Sequence, residues 1–140
     1  MHYLDTSVLT AYYCAEECSS DIQRLLSGIV GPTVSPLVEV ELHCAVARKV
    51  RAGAMDEPTA RRVFAEFQTH LVGAKYRVVP VQATDYGVAR DWISDLTTPL
   101  RVLDALHLAV VSANGLVLVT ADQALAQSAG HFGVKHKLIS

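Results

Sequence analysis

Four carboxylates in the sequence could together hold a metal ion: Asp5, Glu41, Asp104 and Asp122. Two like charges ~4 Å apart repel by about 4 kcal/mol at an effective dielectric constant of ~20, so a group of four needs cations. Hard divalent ions such as Mg²⁺ bind oxygen ligands of this kind. Each residue alone has a simpler explanation, because Asp5 and Asp122 could cap helices and Asp104 could favour the positive end of a helix dipole. A metal site is therefore predicted only if the fold brings the four together.

The elements that must position these residues alternate between strands and helices. Apolar runs and turn residues predict strands over 2–4, 33–35, 76–81, 116–120 and 136–139. Helical spacing predicts helices over 8–26 (broken near Ser19-Ser20), 37–50, 56–72, 84–96, 102–113 and from Asp122 onwards. This alternation predicts an α/β fold, in which helices flank a central parallel sheet of about four or five strands.

The predicted elements place all four carboxylates near one edge of the sheet. Asp5 ends the first strand, and Asp122 lies two residues beyond the fourth. Asp104 lies in the first turn of an apolar helix, and Glu41 lies one turn into the helix that follows the second strand. Because functional groups gather beyond the carboxyl ends of parallel strands, we expect these side chains to meet there.

The composition is that of one globular domain over residues 1–140. Hydrophobic residues make up 51% of the chain and charged residues 19%, which excludes a disordered chain. No apolar stretch approaches the ~18 residues that a membrane span needs, and Asp5 interrupts the N-terminus too early for a signal peptide. We therefore expect a cytoplasmic protein with no membrane association.

The net charge limits how the chain could bind nucleic acid. A formal net charge of −2 argues against non-specific binding of a polyanion over the whole surface, so binding would need a local basic patch. Five basic residues fall close together in the sequence: Arg48, Lys49, Arg51, Arg61 and Arg62. They form either such a patch or two solvated helix faces, and the sequence favours the two interpretations equally.

The cysteines are Cys14, Cys18 and Cys44, an odd number that does not favour a disulfide framework. Cys14 and Cys18 share a helical face, and His43 adjoins Cys44, so a zinc site is conceivable. Zinc sites usually show tighter pairs such as Cys-x-x-Cys. We expect buried packing for the cysteines instead.

Four segments in order carry a family resemblance: YLDTSVL at 3–9, SPLVEVEL at 35–42, LRVLDALHLA at 100–109 and LVTADQ at 118–123. On these segments the chain resembles the PIN-domain ribonucleases and, within them, the VapC-type toxins of bacterial toxin–antitoxin pairs. The resemblance covers nearly the whole chain. It implies a single PIN-like domain over 1–140.

The resemblance also implies specific roles for the carboxylates. Asp5, Glu41, Asp104 and Asp122 match the family's catalytic positions, and the three aspartates among them match ligands of one or two Mg²⁺ or Mn²⁺ ions. Thr6 and Thr120 match supporting hydroxyls, and Ser7 is a weaker match. The implied protein is a metal-dependent endoribonuclease that forms a homodimer and is neutralised by a cognate VapB-type antitoxin.

Some assignments stay open at this stage. Glu39 could replace Glu41, although the spacing from Ser35 favours Glu41. His107 follows Asp104 by one turn and is expected to be a packed, hydrogen-bonded residue rather than a support for the site. Arg101 could contact phosphate or pair with a carboxylate.

Two other functions remain possible from the residues. One is a catalytically inactive PIN-type binding module, although all four acidic positions are filled. The other is a phosphatase with Asp5 as its nucleophile, although such enzymes commonly carry a second aspartate where this chain has Ser7. The target RNA, the choice between Mg²⁺ and Mn²⁺ and the identity of the antitoxin are not encoded in the motifs.

Overall fold

The computed structural model describes residues 1–14 and 19–139. Strands and helices alternate along the described chain as β1 (His2–Leu4), α1 (Thr6–Tyr13), α2 (Ser19–Ser27), β2 (Pro32–Val34), α3 (Pro36–Arg51), α4 (Glu57–Val72), β3 (Arg77–Val78), α5 (Ala83–Ser94), α6 (Val102–Ala113), β4 (Val117–Thr120), α7 (Gln123–His131) and β5 (His136–Leu138). The predicted α/β class is confirmed.

The five strands form one parallel sheet in the order β3-β2-β1-β4-β5. The chain starts at the central strand, builds one half of the sheet through β2 and β3, and then crosses over to build the other half through β4 and β5. The strand order therefore reverses between β1 and β4. In open α/β sheets a crevice forms at the carboxyl ends of the strands at such a switch point.

Both faces of the sheet are covered, as expected for a parallel sheet. Tyr3 and Leu4 of β1 point to opposite faces and are both fully buried, and so are Leu118 and Val119 of β4. Helices must therefore flank each face. The polar residues that follow β1 and β4 lie at the carboxyl ends of these strands, on one edge of the sheet.

The third strand is shorter than predicted. We expected a strand over 76–81, but β3 spans only Arg77–Val78, and both of its residues are exposed. β3 is an edge strand that pairs with β2 alone. Pro80 has no backbone N–H to continue the pairing, while Tyr76 and Val79 are buried as core residues.

The first predicted helix is described in two parts. α1 ends at Tyr13 and α2 begins at Ser19, where the break was predicted. Residues 15–18 lie outside the described chain, and so does any contribution of Cys18 to a zinc site. Cys44 was expected to be buried but is exposed on α3. No helix among the described residues is long and apolar enough to span a membrane.

Candidate active site

The four predicted carboxylates all line one cleft, which has a volume of about 1180 Å³. They reach it from four places: Asp5 after β1, Glu41 on α3, Asp104 on α6 and Asp122 after β4. The cleft lies at the carboxyl ends of β1 and β4, which is the switch point of the sheet. The fold therefore brings together the residues that the sequence placed at this edge.

Asp5 is the most buried of these carboxylates, with 4% of its surface exposed. It caps α1 by accepting a hydrogen bond from the backbone N–H of Val8 at 3.2 Å. Ser7 Oγ donates to its Oδ1 at 2.5 Å, and Thr120 Oγ1 donates to its Oδ2 at 2.6 Å. Burial raises the pKa of Asp5, and the two hydroxyl donors only partly oppose that rise. Both carboxylate oxygens are thus fixed in direction.

Asp122 is held at the mouth of α7 by bonds that also reach Asp5. Its Oδ1 accepts the backbone N–H of Leu125 at 3.1 Å, as an N-cap does. Its own backbone N–H donates to Thr120 Oγ1 at 3.0 Å, the same hydroxyl that donates to Asp5. Asp122 is exposed to the cleft. Thr120 therefore sets the position of one buried and one accessible carboxylate.

Asp104 lies in the first turn of α6, where its Oδ2 accepts the backbone N–H of Arg101 at 3.4 Å. Burial raises the pKa of Asp104, and the negative charges of Asp122 and Glu41 raise it further. His107 opposes this rise without cancelling it. Asp122 and Glu41 are thus close enough to disfavour the charged form of Asp104, which is the electrostatic setting that a cation relieves.

Glu41, rather than Glu39, lines the cleft. Its Oε1 accepts a hydrogen bond from Thr6 Oγ1 at 2.9 Å and also contacts His107 Nε2. Burial by itself would raise the pKa of Glu41, but the hydrogen bonds and charge of His107 and the hydroxyl of Thr6 outweigh it, so the pKa lies below its usual value. Glu41 is therefore held as a carboxylate.

His107 connects Glu41 to the sheet. It is 2% exposed, and its Nδ1 lies 2.6 Å from the hydroxyl of Tyr3, which in turn lies 2.7 Å from Ser35 Oγ. The expected packed and hydrogen-bonded histidine is what the structure shows, but its partner is a carboxylate of the cleft. Sequence reasoning missed Tyr3 and Ser35, because a tyrosine in an apolar strand looks like core and a serine before proline looks like a helix cap.

The predicted basic patch divides in two. On α4, Arg61 pairs with Glu57 one turn away at 2.8 Å, and Arg62 bonds Thr59 at 3.2 Å, so this part is a solvated helix face. Arg48 on α3 is exposed and lines the cleft, and Arg101 lines it from the start of α6. Within residues 1–14 and 19–139, neither arginine forms a salt bridge with a carboxylate. These two cations therefore line the same cleft as the four carboxylates.

The donor set matches a hard divalent ion, because the cleft offers carboxylate and hydroxyl oxygens in place of thiolates. Within the part of the chain that the structure describes, no three acidic, histidine or cysteine side chains are close enough to share one ion. The carboxylates line the cleft without converging on a single point. The carboxylate and hydroxyl oxygens are of the type that binds Mg²⁺ or Mn²⁺. In this structure the described carboxylates are not close enough together to bind one ion jointly.

A family model described as "PIN domain" matches residues 2–130. Among curated protein sequences, no significant match was found.

Several solved structures share the fold. The toxin VapC20 of Mycobacterium tuberculosis, described as cleaving the sarcin–ricin loop, superposes with a TM-score of 0.75 at 17% identity, covering 91% of this chain and 95% of that chain. VapBC2 of Rickettsia felis, bound to a DNA fragment from its promoter, gives 0.69 at 15% identity and covers 100% of both chains. The toxin–antitoxin protein VapBC-5 of M. tuberculosis gives 0.63 at 17% identity, covering 99% of this chain and 98% of that chain.

Proposed function

The chain belongs to the PIN-domain family, and from this premise we propose that it is a metal-dependent endoribonuclease, the toxin of a toxin–antitoxin pair. The observation that carries the proposal is the cleft in which Asp5, Glu41, Asp104 and Asp122 lie together at the switch point of the sheet. The likeness to VapC20, a toxin described as cleaving the sarcin–ricin loop, supports RNA as the substrate. RNA as substrate also supports a cytoplasmic location.

The catalytic roles follow from how each side chain is held. We assign Asp5, Asp104 and Asp122 as ligands of Mg²⁺ or Mn²⁺, since these oxygens face one cleft. A divalent ion bound there would lower the pKa of the attacking water and would stabilise the negative charge that develops on the leaving oxygen. Glu41, whose pKa is held low by His107 and Thr6, is positioned as an anion that can accept a proton or orient water beside the scissile phosphate.

The substrate backbone would be held at the margins of the cleft. Arg48 and Arg101 both line the cleft, from α3 and from the start of α6. A phosphodiester carries one negative charge per nucleotide, and arginine binds phosphate oxygens through paired N–H groups. We assign these two residues to RNA phosphates on either side of the cleaved bond.

An apolar margin next to the carboxylates fits the proposed antitoxin. Val40 is 70% exposed, Val102 65% and Leu103 40%, and all three line the cleft. An antitoxin segment with an apolar face and one basic side chain would cover these residues and neutralise the acidic floor. The solved VapBC structures of the same fold support an antitoxin as partner. A homodimer is proposed from the resemblance to VapC-type toxins.

The alternative of an aspartate-nucleophile phosphatase is disfavoured by the surroundings of Asp5. Both of its oxygens accept hydrogen bonds from hydroxyls, and only 4% of the residue is exposed. A nucleophile must approach phosphorus with an unshared, accessible oxygen. The inactive binding module remains the competing outcome of the experiment that follows.

The decisive experiment incubates the antitoxin-free protein with total cellular RNA in Mn²⁺, Mg²⁺ or EDTA. We expect discrete fragments with metal and intact RNA with EDTA. Asp104→Asn should lower cleavage by at least about 100-fold, since it removes a charged ligand from the cleft. Asp91→Asn is the matched control, because Asp91 is an exposed carboxylate paired with Arg90 outside the cleft. Intact RNA under every metal condition would favour the binding module.

A further inference from the structure

A chain of hydrogen bonds runs from the sheet to the cleft through buried side chains. Ser35 Oγ lies 2.7 Å from Tyr3 OH, and Tyr3 OH lies 2.6 Å from His107 Nδ1. His107 Nε2 then contacts Glu41 Oε1. Ser35, Tyr3 and His107 are 1%, 0% and 2% exposed, so water does not compete for these bonds.

The carboxylate of Glu41, at the end of this series of hydrogen bonds, determines which group donates in each bond. Glu41 is a carboxylate and can only accept, so His107 Nε2 must carry a proton. When the ring is neutral, Nδ1 accepts from the Tyr3 hydroxyl, and the Tyr3 oxygen accepts from Ser35. When the ring is charged, Nδ1 donates to the Tyr3 oxygen instead. Glu41 thus selects the tautomer, and Tyr3 on the far nitrogen fixes the ring orientation.

The same bonds join elements that otherwise meet only through packing. Tyr3 belongs to β1, Ser35 begins α3, and His107 lies on α6 one turn after Asp104. α6 therefore carries Asp104 itself and also holds the Glu41 side chain of α3 through His107. This link therefore connects the helix that carries Glu41 to the helix that carries Asp104.

We propose that His107 and Tyr3 are positioning residues for Glu41, which hold one carboxylate oxygen so that the other is presented to the RNA. Glu41 Oε1 receives both Thr6 and His107, while Oε2 accepts no hydrogen bond from the described residues. A carboxylate held by one oxygen keeps its second oxygen at a fixed direction in the cleft. This inference rests on the proposed function and adds two residues that touch neither metal nor substrate.

The kinetic test compares variants that break the chain at different links. His107→Leu removes both ring nitrogens and should lower kcat for a short RNA by about 10–100-fold, with KM within about twofold. His107→Gln keeps a donor that can reach Glu41, and we expect it to recover much of that loss. Tyr3→Phe keeps the ring but removes the hydroxyl, so its kcat should fall between wild type and His107→Leu.

The chain offers a matched control in a second buried tyrosine. Tyr13 OH lies 2.6 Å from His70 Nδ1 and 2.6 Å from Tyr76 OH, so it makes the same kind of bonds as Tyr3. None of these three residues lines the cleft. Tyr13→Phe should cost similar stability in urea unfolding and leave kcat unchanged. If Tyr3→Phe and Tyr13→Phe lower stability equally and neither alters kcat, the positioning role is refuted and Tyr3 is only structural.

A second readout does not depend on cleavage. Long-range ¹H–¹⁵N spectra of histidine-labelled protein should show His107 protonated at Nε2. That signal should shift in Glu41→Gln, and the Nδ1 signal should shift in Tyr3→Phe, which removes its hydrogen bond. A wild-type His107 protonated at Nδ1 alone would overturn the inference. Should the wild type cut no RNA, the proposed function fails, and these spectra still decide whether His107 is held against Glu41.

Discussion

Two hydroxyls fix the most buried carboxylate of the cleft. Ser7 and Thr120 donate to the two oxygens of Asp5, and Ser7 also accepts the backbone N–H of Ala121 at 2.9 Å. A carboxylate whose pKa is raised by burial would be a poor metal ligand if it were also free to turn away. The hydroxyls favour the charged form and set its direction. The family resemblance implied only that the Thr120 hydroxyl supports the acidic site.

Replacing Thr120 by valine tests this at the scale of one hydroxyl. Thr120→Val keeps the shape but leaves Asp5 Oδ2 and the Asp122 N–H without their partner, so we expect a loss of about 1–3 kcal/mol in the free energy of unfolding. The pKa of Asp5 should rise further, and Mn²⁺ affinity measured by calorimetry should fall about tenfold or more. Urea unfolding measures the stability change.

Thr33→Val separates the two effects. Thr33 is also a fully buried strand threonine, and its hydroxyl donates to Gly31 O at 2.9 Å, away from the cleft. The Thr33→Val protein should therefore have a lower free energy of unfolding and an unchanged affinity for Mn²⁺. Equal Mn²⁺ affinity in Thr120→Val and the wild type would show that Thr120 supports the fold alone.

The carboxylates of the site could be predicted from the sequence, whereas the hydrogen bonds that link Ser35, Tyr3 and His107 could not. An aspartate that follows an apolar strand, or lies in the first turn of an apolar helix, is easily recognised in the sequence. The alternation of strands and helices then places it at the carboxyl edge of the sheet. Tyr3 and Ser35 carry no such signal, since their partners lie 104 and 32 residues away in sequence. His107 was readable as buried, but its bond to Glu41 depends on how closely α3 and α6 approach.

At the scale of elements, helix faces decide which arginines can serve the cleft. Two arginines of the same basic segment have different surroundings. Arg48 on α3 lines the cleft, whereas Arg61 on α4 is paired with Glu57 at the surface. The sequence showed the cluster of charge but could not divide it, because the relative rotation of α3 and α4 is set by packing. The length of the edge strand β3 was predicted wrongly for another reason: Pro80 has no backbone N–H with which to continue its pairing with β2.

This division predicts different salt dependences for two arginine variants. Arg48→Ala should weaken binding of a non-cleaved single-stranded RNA in EDTA, and the slope of log K against log salt should fall by about 0.7, because one RNA phosphate is no longer neutralised. Arg61→Ala removes the same charge from an exposed i,i+4 pair and should leave both affinity and slope near wild type. Fluorescence anisotropy across a salt series measures both quantities, and identical slopes for the two variants would exclude a specific phosphate interaction at Arg48.

At the scale of the whole molecule, the fold holds like charges together at one end of the sheet. The order β3-β2-β1-β4-β5 makes β1 and β4 neighbours, so the carboxylates that follow them must share a cleft. Burial raises the pKa values of Asp5 and Asp104, with charge repulsion adding to the rise at Asp104. Folding therefore brings together ionised groups that the unfolded chain keeps apart, and a cation that binds only the folded chain should recover that cost.

Mn²⁺ should accordingly raise the Tm of the wild-type protein. A ligand at 100 times its Kd stabilises the folded state by about 2.7 kcal/mol, and for a chain of this size each kcal/mol shifts Tm by several degrees. Asp104→Asn relieves repulsion and removes a ligand, so it should raise the metal-free Tm while reducing the Mn²⁺-induced increase. Asp91→Asn changes the same charge outside the cleft and should respond to Mn²⁺ as the wild type does. Scanning calorimetry with and without Mn²⁺ distinguishes a bound ion from general screening, because screening would shift all three proteins alike.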